Sequence, residues 1–120
     1  CDVFSMAESL DILKKIPSQN RKIAVLGDVL GIGKFSIEAH ESLGERAAKS
    51  ADIIFAIGLR AAFIAESALI KGMNPQNIFK FSRAKDAKLR IQDEIKEGDL
   101  ILVDGAREMH MEEIVKEIKS

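Results

Sequence analysis

The chain has 120 residues, of which 47% are hydrophobic and 31% charged, and a formal net charge of −1. That length closes one hydrophobic core, and the composition is that of a globular protein rather than a disordered or fibrous one. Acids and bases are interleaved, and Tyr and Trp are absent, which argues against both the clustered positive surface and the stacking platforms of a nucleic-acid binder.

In chain order, Ser5-Met6-Ala7-Glu8 fits a capping box, in which hydroxyl and carboxylate satisfy free amides at a helix start. Met6, Leu10, Leu13 and Ile16 follow on one helical face, and Pro17 ends the helix. After the short Ser18-Gln19-Asn20 loop, Lys22 to Leu26 reads as a strand apolar enough to be covered on both faces.

The stretch Leu26 to Lys34 is a strand-to-helix loop with three glycines (Gly27, Gly31, Gly33) and one carboxylate, Asp28. Ser36 is expected to cap a helix reaching about Ser50, with Ile37, His40, Leu43 or Gly44, and Ala47 facing inward.

Asp52 to Ile57 is a second buried strand, ended by Gly58. Ala61 to Lys71 is a helix stopped by Gly72, and Asn74-Pro75 marks a turn. Ile78 to Phe81 is a short strand near a sheet edge. Ser82 is expected to cap a fourth helix, with Ala84, Ala87, Ile91 and Ile95 on one face and Gly98 at its end. Leu100 to Val103 is the last strand, Asp104-Gly105-Ala106-Arg107 its exit loop, and the final helix turns Met111, Ile114, Val115 and Ile118 inward.

This α-β-α-β-α-β-α-β-α order predicts an α/β, Rossmann-like three-layer sandwich, a mostly parallel sheet with helices on both faces. Because the chain opens on a helix, it is expected to be a fragment of something larger. Its lone cysteine, Cys1, cannot form an internal disulfide, and no apolar run approaches the roughly 18 residues that span a bilayer. A reduced, cytoplasmic domain is therefore expected.

Parallel sheets place ligands at the carboxyl ends of their strands, so the exit loops are the candidate sites. The glycine loop fails both phosphate-cradle tests. The spacing Gly27-x-x-x-Gly31-x-Gly33 is not the dinucleotide fingerprint. In the register of a P-loop, Asp28 stands at the first glycine and Phe35 at the magnesium-binding hydroxyl.

Two readings of this loop remain. Either the glycines only let a strand turn sharply into a helix, or Asp28 projects to hold a ligand's cation, amine or hydroxyl. Arg107 could offer its planar fork to a carboxylate or phosphate, or form a surface pair with a neighbouring acid. His40 is more often a satisfied structural group than a ligand. His40 and His110 alone do not make a zinc site, and no residue has the partners of a nucleophile. A response-regulator receiver is excluded, since the second strand ends in Gly58 and the last in Asp104 rather than Lys.

Three stretches resemble one family in order and spacing. Val25-Leu26-Gly27-Asp28-Val29-Leu30-Gly31-Ile32-Gly33, with Ser36, His40 and Gly44 downstream, resembles the Leu-Gly-Asp-Met-Leu-Glu-Leu-Gly segment of Mur ligases and the Ser…His…Gly helix after it. Leu102 to Glu112 resembles their late Val-Lys-Gly-Ser-Arg-x-Met-x-Met-Glu segment, and Ser5 to Leu10 the helix that opens their C-terminal domain. The combination is most similar to the members that add D-Ala-D-Ala.

The resemblance implies a three-domain cytoplasmic enzyme of peptidoglycan precursor synthesis. It would join D-Ala-D-Ala to UDP-N-acetylmuramoyl-tripeptide through an acyl phosphate, using ATP and Mg2+, with the nucleotide bound mainly by a central domain absent from this chain. Residues 1–120 would be the closing C-terminal domain, inactive alone. Matched positions give Asp28, Gly27, Gly105 and Arg107 a place near the substrates, and His40 a weaker one.

Departures are Asp104 where lysine is usual, Ala106 for serine, and Gly31 and Lys34 for acids. Cys1-Asp2-Val3-Phe4 stands in place of an Asn-x-x-Pro stretch. They leave open a second reading, a non-catalytic α/β module that binds a ligand or partner.

Overall fold

A computed structural model of the protein describes residues 1–119, with side chains through Ile118. The elements are α1 (Val3–Lys15), β1 (Lys22–Gly27), α2 (Ser36–Ser50), β2 (Ile53–Ile57), α3 (Ala61–Ile70), β3 (Ile78–Phe81), α4 (Ala84–Glu94), β4 (Leu100–Asp104) and α5 (Glu112–Lys119). Short 3₁₀ turns at Gly33–Phe35, Pro75–Asn77 and Arg107–Met109 precede α2, β3 and α5. The four strands form one parallel sheet in the order β3-β2-β1-β4, as the alternation of elements predicts.

The two-residue period of the strands sorts their side chains into two cores. Ala24, Leu26, Ile54 and Ala56 point to one face and pack with Met6 and Leu10 of α1, Leu43 and Ala47 of α2, and Ile64 and Ala68 of α3. Ile23, Val25, Ile53, Phe55 and Ile57 point to the other, where they meet Ala87 and Ile91 of α4 and Ile114 of α5. Helices therefore cover both faces, and β1 and β2 are buried almost throughout.

Several local expectations shift. Helix α1 starts earlier: Asp2 is its N-cap and accepts from the Ser5 amide at 2.8 Å, while the Ser5 hydroxyl returns to the Asp2 amide at 3.1 Å. The box is thus Asp2–Ser5, an aspartate serving as well as a serine there. Ile16 leaves the helical path at ψ 119, as a residue before proline must, and is exposed.

Ser36 does not cap α2, because the 3₁₀ turn already carries the chain into helical geometry before it. Ile37, in the first turn of α2, is exposed and not part of its inward stripe. Ser82 lies one residue too early to cap α4, whose N-cap is Arg83 without a side-chain capping bond. Helix α4 also ends at Glu94, so Gly98 belongs to the turn before β4.

At the opposite, amino edge of the sheet, Arg21 and Asp99 form a two-bond fork at 3.1 and 2.7 Å that pins the starts of β1 and β4. On the first face, α2 and α3 touch at Gly44, where a Cβ would lie 2.3 Å from the Ile64 carbonyl oxygen. Ser67 donates to the Glu41 carbonyl at 2.6 Å across the same seam.

Candidate functional site at the carboxyl edge

The chain runs from β1 outward to β3 and returns to β4 on the other side of β1, so the switch point lies between β1 and β4. Open α/β sheets usually bind ligands at that crevice, but here the protein fills it. Gly27 and Gly105 meet backbone to backbone: a Cβ on Gly105 would lie 2.9 Å from Gly27 Cα, and a Cβ on Gly27 would lie 3.0 Å from Met111 Sδ. The Ala106 amide donates to the Asp28 carbonyl at 2.9 Å, tying the two exits together. These two glycines serve close packing.

Asp28 begins the loop after β1, yet its side chain does not stand free. It is 3% exposed, and Oδ1 accepts from the Ala61 amide at 2.6 Å, capping the start of α3. Oδ2 lies 3.4 Å from Arg60 Nη1. The carboxylate occupies the space above Gly58, where any Cβ would fall 2.3 Å from Oδ1. That is why β2 must end in glycine.

His40 is buried on α2. Its Nε2 accepts from the Val29 amide at 3.1 Å, so the proton sits on Nδ1, which donates to the Ser36 carbonyl at 2.7 Å. The Ser36, His40, Gly44 spacing thus marks one helix stripe that holds the β1 exit loop and then seats α3. The structure gives His40 a positioning place, away from any opening.

Arg107 opens the 3₁₀ turn after β4 and is exposed, and its side chain makes no hydrogen bond or ion pair among the described residues. Asp104 ends β4 and is half-buried; burial pushes its carboxyl above the ordinary range, against the lowering effect of the bond from the Gly105 amide. His110 adopts φ 54 and is exposed, 3.6 Å from Glu112. Met111 packs in the second core, as expected, and the partly buried Met109 packs against it.

The opening lies one strand away from the switch point, a cleft of about 490 Å³ floored by Asp28 and Gly58. Arg60, Arg83 and Lys85, from the exits of β2 and β3, line one side, and Glu108, His110 and Glu113, beyond β4, line the other. Of the residues singled out in the sequence for a site, only Asp28 reaches it. Glu108, Met109 and His110 fall within the late segment that carries the family resemblance, whereas Arg60, Arg83, Lys85 and Glu113 were marked by no motif. The one available signal was position, since Leu59-Arg60 and Ser82-Arg83 directly follow parallel strands.

The described residues build neither a nucleotide cradle nor a cation site. The glycine loop lacks P-loop spacing, and among the described residues no group of three or more His, Cys, Asp or Glu could hold a metal ion. Among the described residues no helix is long and apolar enough to cross a membrane.

Residues 3–107 match the family model of the Mur ligase, glutamate ligase domain. The UDP-N-acetylmuramoyl-tripeptide–D-alanyl-D-alanine ligase of Bacillus subtilis is 31% identical over 115 residues, covering 95% of this chain and 25% of that protein. A crystal structure of MurF from Acinetobacter baumannii superposes with a TM-score of 0.78 at 25% identity, over 98% of this chain and 26% of that one. MurF from Thermotoga maritima, solved in complex with ADP, shares the fold with a TM-score of 0.76 at 21% identity, over 99% of this chain and 26% of that one. The chain spans about a quarter of the length of these relatives.

Proposed function

Because this chain belongs to the Mur ligase family, matching its glutamate ligase domain, we propose that it is the C-terminal domain of a three-domain ligase joining D-Ala-D-Ala to UDP-N-acetylmuramoyl-tripeptide. The observation that carries the reading is the identity to the Bacillus subtilis ligase along 95% of the chain. The reaction condenses the tripeptide carboxyl with the dipeptide amine to an amide. ATP with Mg2+ would be held by the rest of the protein; its terminal phosphoryl group would pass to the tripeptide carboxyl with release of ADP, and would leave as phosphate when the dipeptide amine attacks.

This domain's share is to receive the incoming dipeptide, orient its amine and exclude water when it closes over the other two domains. A rigid carboxyl edge suits that task. The loops after β1, β2 and β4 are tied to one another through Asp28. Arg107, exposed at that edge, is a candidate contact for an anionic group presented from the partner domains; Asp28, Gly27, Gly105 and His40 shape the loops behind it. The enzyme would act in the cytoplasm, where its nucleotide substrates are.

The test is ADP release by the full-length protein, with each substrate omitted in turn. Release that requires both tripeptide precursor and D-Ala-D-Ala supports the ligase. A folded full-length protein without dipeptide-dependent release would leave only a binding module.

A further inference from the structure

The two edges of the sheet are not guarded alike. At one, β3 is four residues long, its Ile78 amide is spent on the Pro75 carbonyl, and Lys80 is paired with Glu66. Short length and a charge keep an edge strand from pairing with another chain. At the other, β4 runs Leu100-Ile101-Leu102-Val103 before its first charge, Asp104, and is half-buried along its length, whereas β1 and β2 are covered almost throughout. The Leu100 amide bonds inward to the Arg21 carbonyl. By the alternation of a strand, the N–H and C=O of Ile101 and Val103 therefore point to the open side.

Helix α1 overhangs that open edge. Ile12 and Ile16 are exposed there, and with Ser9, Leu13 and β4 they line an apolar groove of about 170 Å³. Ser5 lies on the same side of the helix, one turn before Ser9. The side of α1 along the edge thus reads Ser5, Ser9, Ile12, Ile16, small in its first half and large in its second. Its charges divide the same way, with Asp2 and Glu8 exposed toward the start and Lys14 and Lys15 toward the end.

We propose that β4 pairs edge to edge with β4 of a second copy of this chain. A two-fold axis makes that pairing antiparallel, continues the sheet across both copies and lays their α1 helices side by side in opposite directions. Ser5 then faces Ile16 of the copy and Ser9 faces Ile12, so each large side chain fills the space beside a small one. Both pairs belong to one register, because residues 5 and 16 have the same midpoint as 9 and 12. The acidic half of each α1 meets the basic half of the other, with the helix dipoles opposed. Centred near Leu102, Ile101 of one copy exchanges main-chain bonds with Val103 of the other. The 13 residues of α1 make the contact about 20 Å long, and with the sheet edge it buries roughly 1,000 Å² in all, the size of a weak dimer. A dissociation constant on the order of 10⁻⁵ M is expected.

The test is sedimentation of the 120-residue chain over a concentration series, with amide exchange followed by NMR. The mass should rise from 13.2 kDa toward twice that value. The amides of Ile101 and Val103 should slow as it does, while those of Leu100 and Leu102 are protected throughout. Ile12→Lys should weaken association by roughly tenfold, and Leu89→Lys, equally exposed but on α4, should leave it unchanged. Glu8→Lys and Lys15→Glu should each weaken association several-fold, and the two together should restore it.

A 13.2 kDa species at every concentration, association unaltered in Ile12→Lys, or a double variant no better than its parents would overturn the proposal. So would a full-length protein that stays monomeric with Ile101 and Val103 protected at every dilution, because a strand of its own chain would then cover β4. None of these readouts depends on the ligase reaction, so failure of the ligase reading leaves the dimer standing.

Discussion

Replacing Asp28 by alanine tests whether this carboxylate is a clamp or a ligand contact. The side chain is 3% exposed and its Oδ1 takes the Ala61 amide at 2.6 Å. Truncation leaves that buried donor unpaired, a loss of about 1–3 kcal/mol. It also opens a void above Gly58, which adds roughly another 1 kcal/mol. A total of about 2–4 kcal/mol follows.

Asparagine is the informative partner substitution. It keeps an acceptor at the Oδ1 position and loses only the charge beside Arg60, whose side chain is half exposed, so it should cost at most about 1 kcal/mol. Urea unfolding of the chain measures both, with ΔG compared at a common slope. Alanine and asparagine variants both within about 0.5 kcal/mol of the unaltered chain would refute the clamp, and Asp28 would then be free to serve a ligand.

Three further outcomes follow from the same edge. Gly105→Ala places a Cβ 2.9 Å from Gly27 Cα and 3.0 Å from its nitrogen, a backbone clash that should cost about 1–3 kcal/mol and appear as a lower melting temperature. His40→Ala removes the acceptor of the buried Val29 amide and leaves a cavity. A loss of roughly 2–4 kcal/mol is expected, with faster hydrogen exchange at Val29 distinguishing it from general loosening.

Asp104→Asn should stabilise the protein at neutral pH. The folded state raises this carboxyl above its ordinary value of 3.8, so the unaltered chain loses stability as pH rises from that value through the folded pKa. The variant's advantage should be complete above that window and vanish below pH 3.8; melting curves across acid to neutral pH that run parallel would contradict it.

The folding pattern was legible because it is local. Apolar runs at Ile23–Leu26, Ile53–Ile57 and Leu100–Val103, alternating with helical periodicity, leave little but a parallel sheet covered on both faces. The family resemblance was legible for a related reason. Its motifs sit where backbone geometry is demanding: Gly27-Asp28 at the β1 exit, Gly105 opposite, His40 bonded to Val29 and Gly44 against α3.

What those residues do was decided by tertiary structure. Asp28 and Ala61 are 33 positions apart and Gly27 and Gly105 are 78 apart, yet each pair is in contact. Neither contact has a sequence period to announce it. The same holds for Arg60, which carries no motif and matters only because β2 and β3 exit on one side of Asp28 and β4 on the other.

The sequence alone thus determined the order of elements, the two buried stripes and the family, since each depends on neighbours along the chain. Only the packed sheet decided that the usual crevice between β1 and β4 is closed by two glycines and Met111. The opening, with its opposed charges, is displaced toward β2, because which loops meet is a property of strand order.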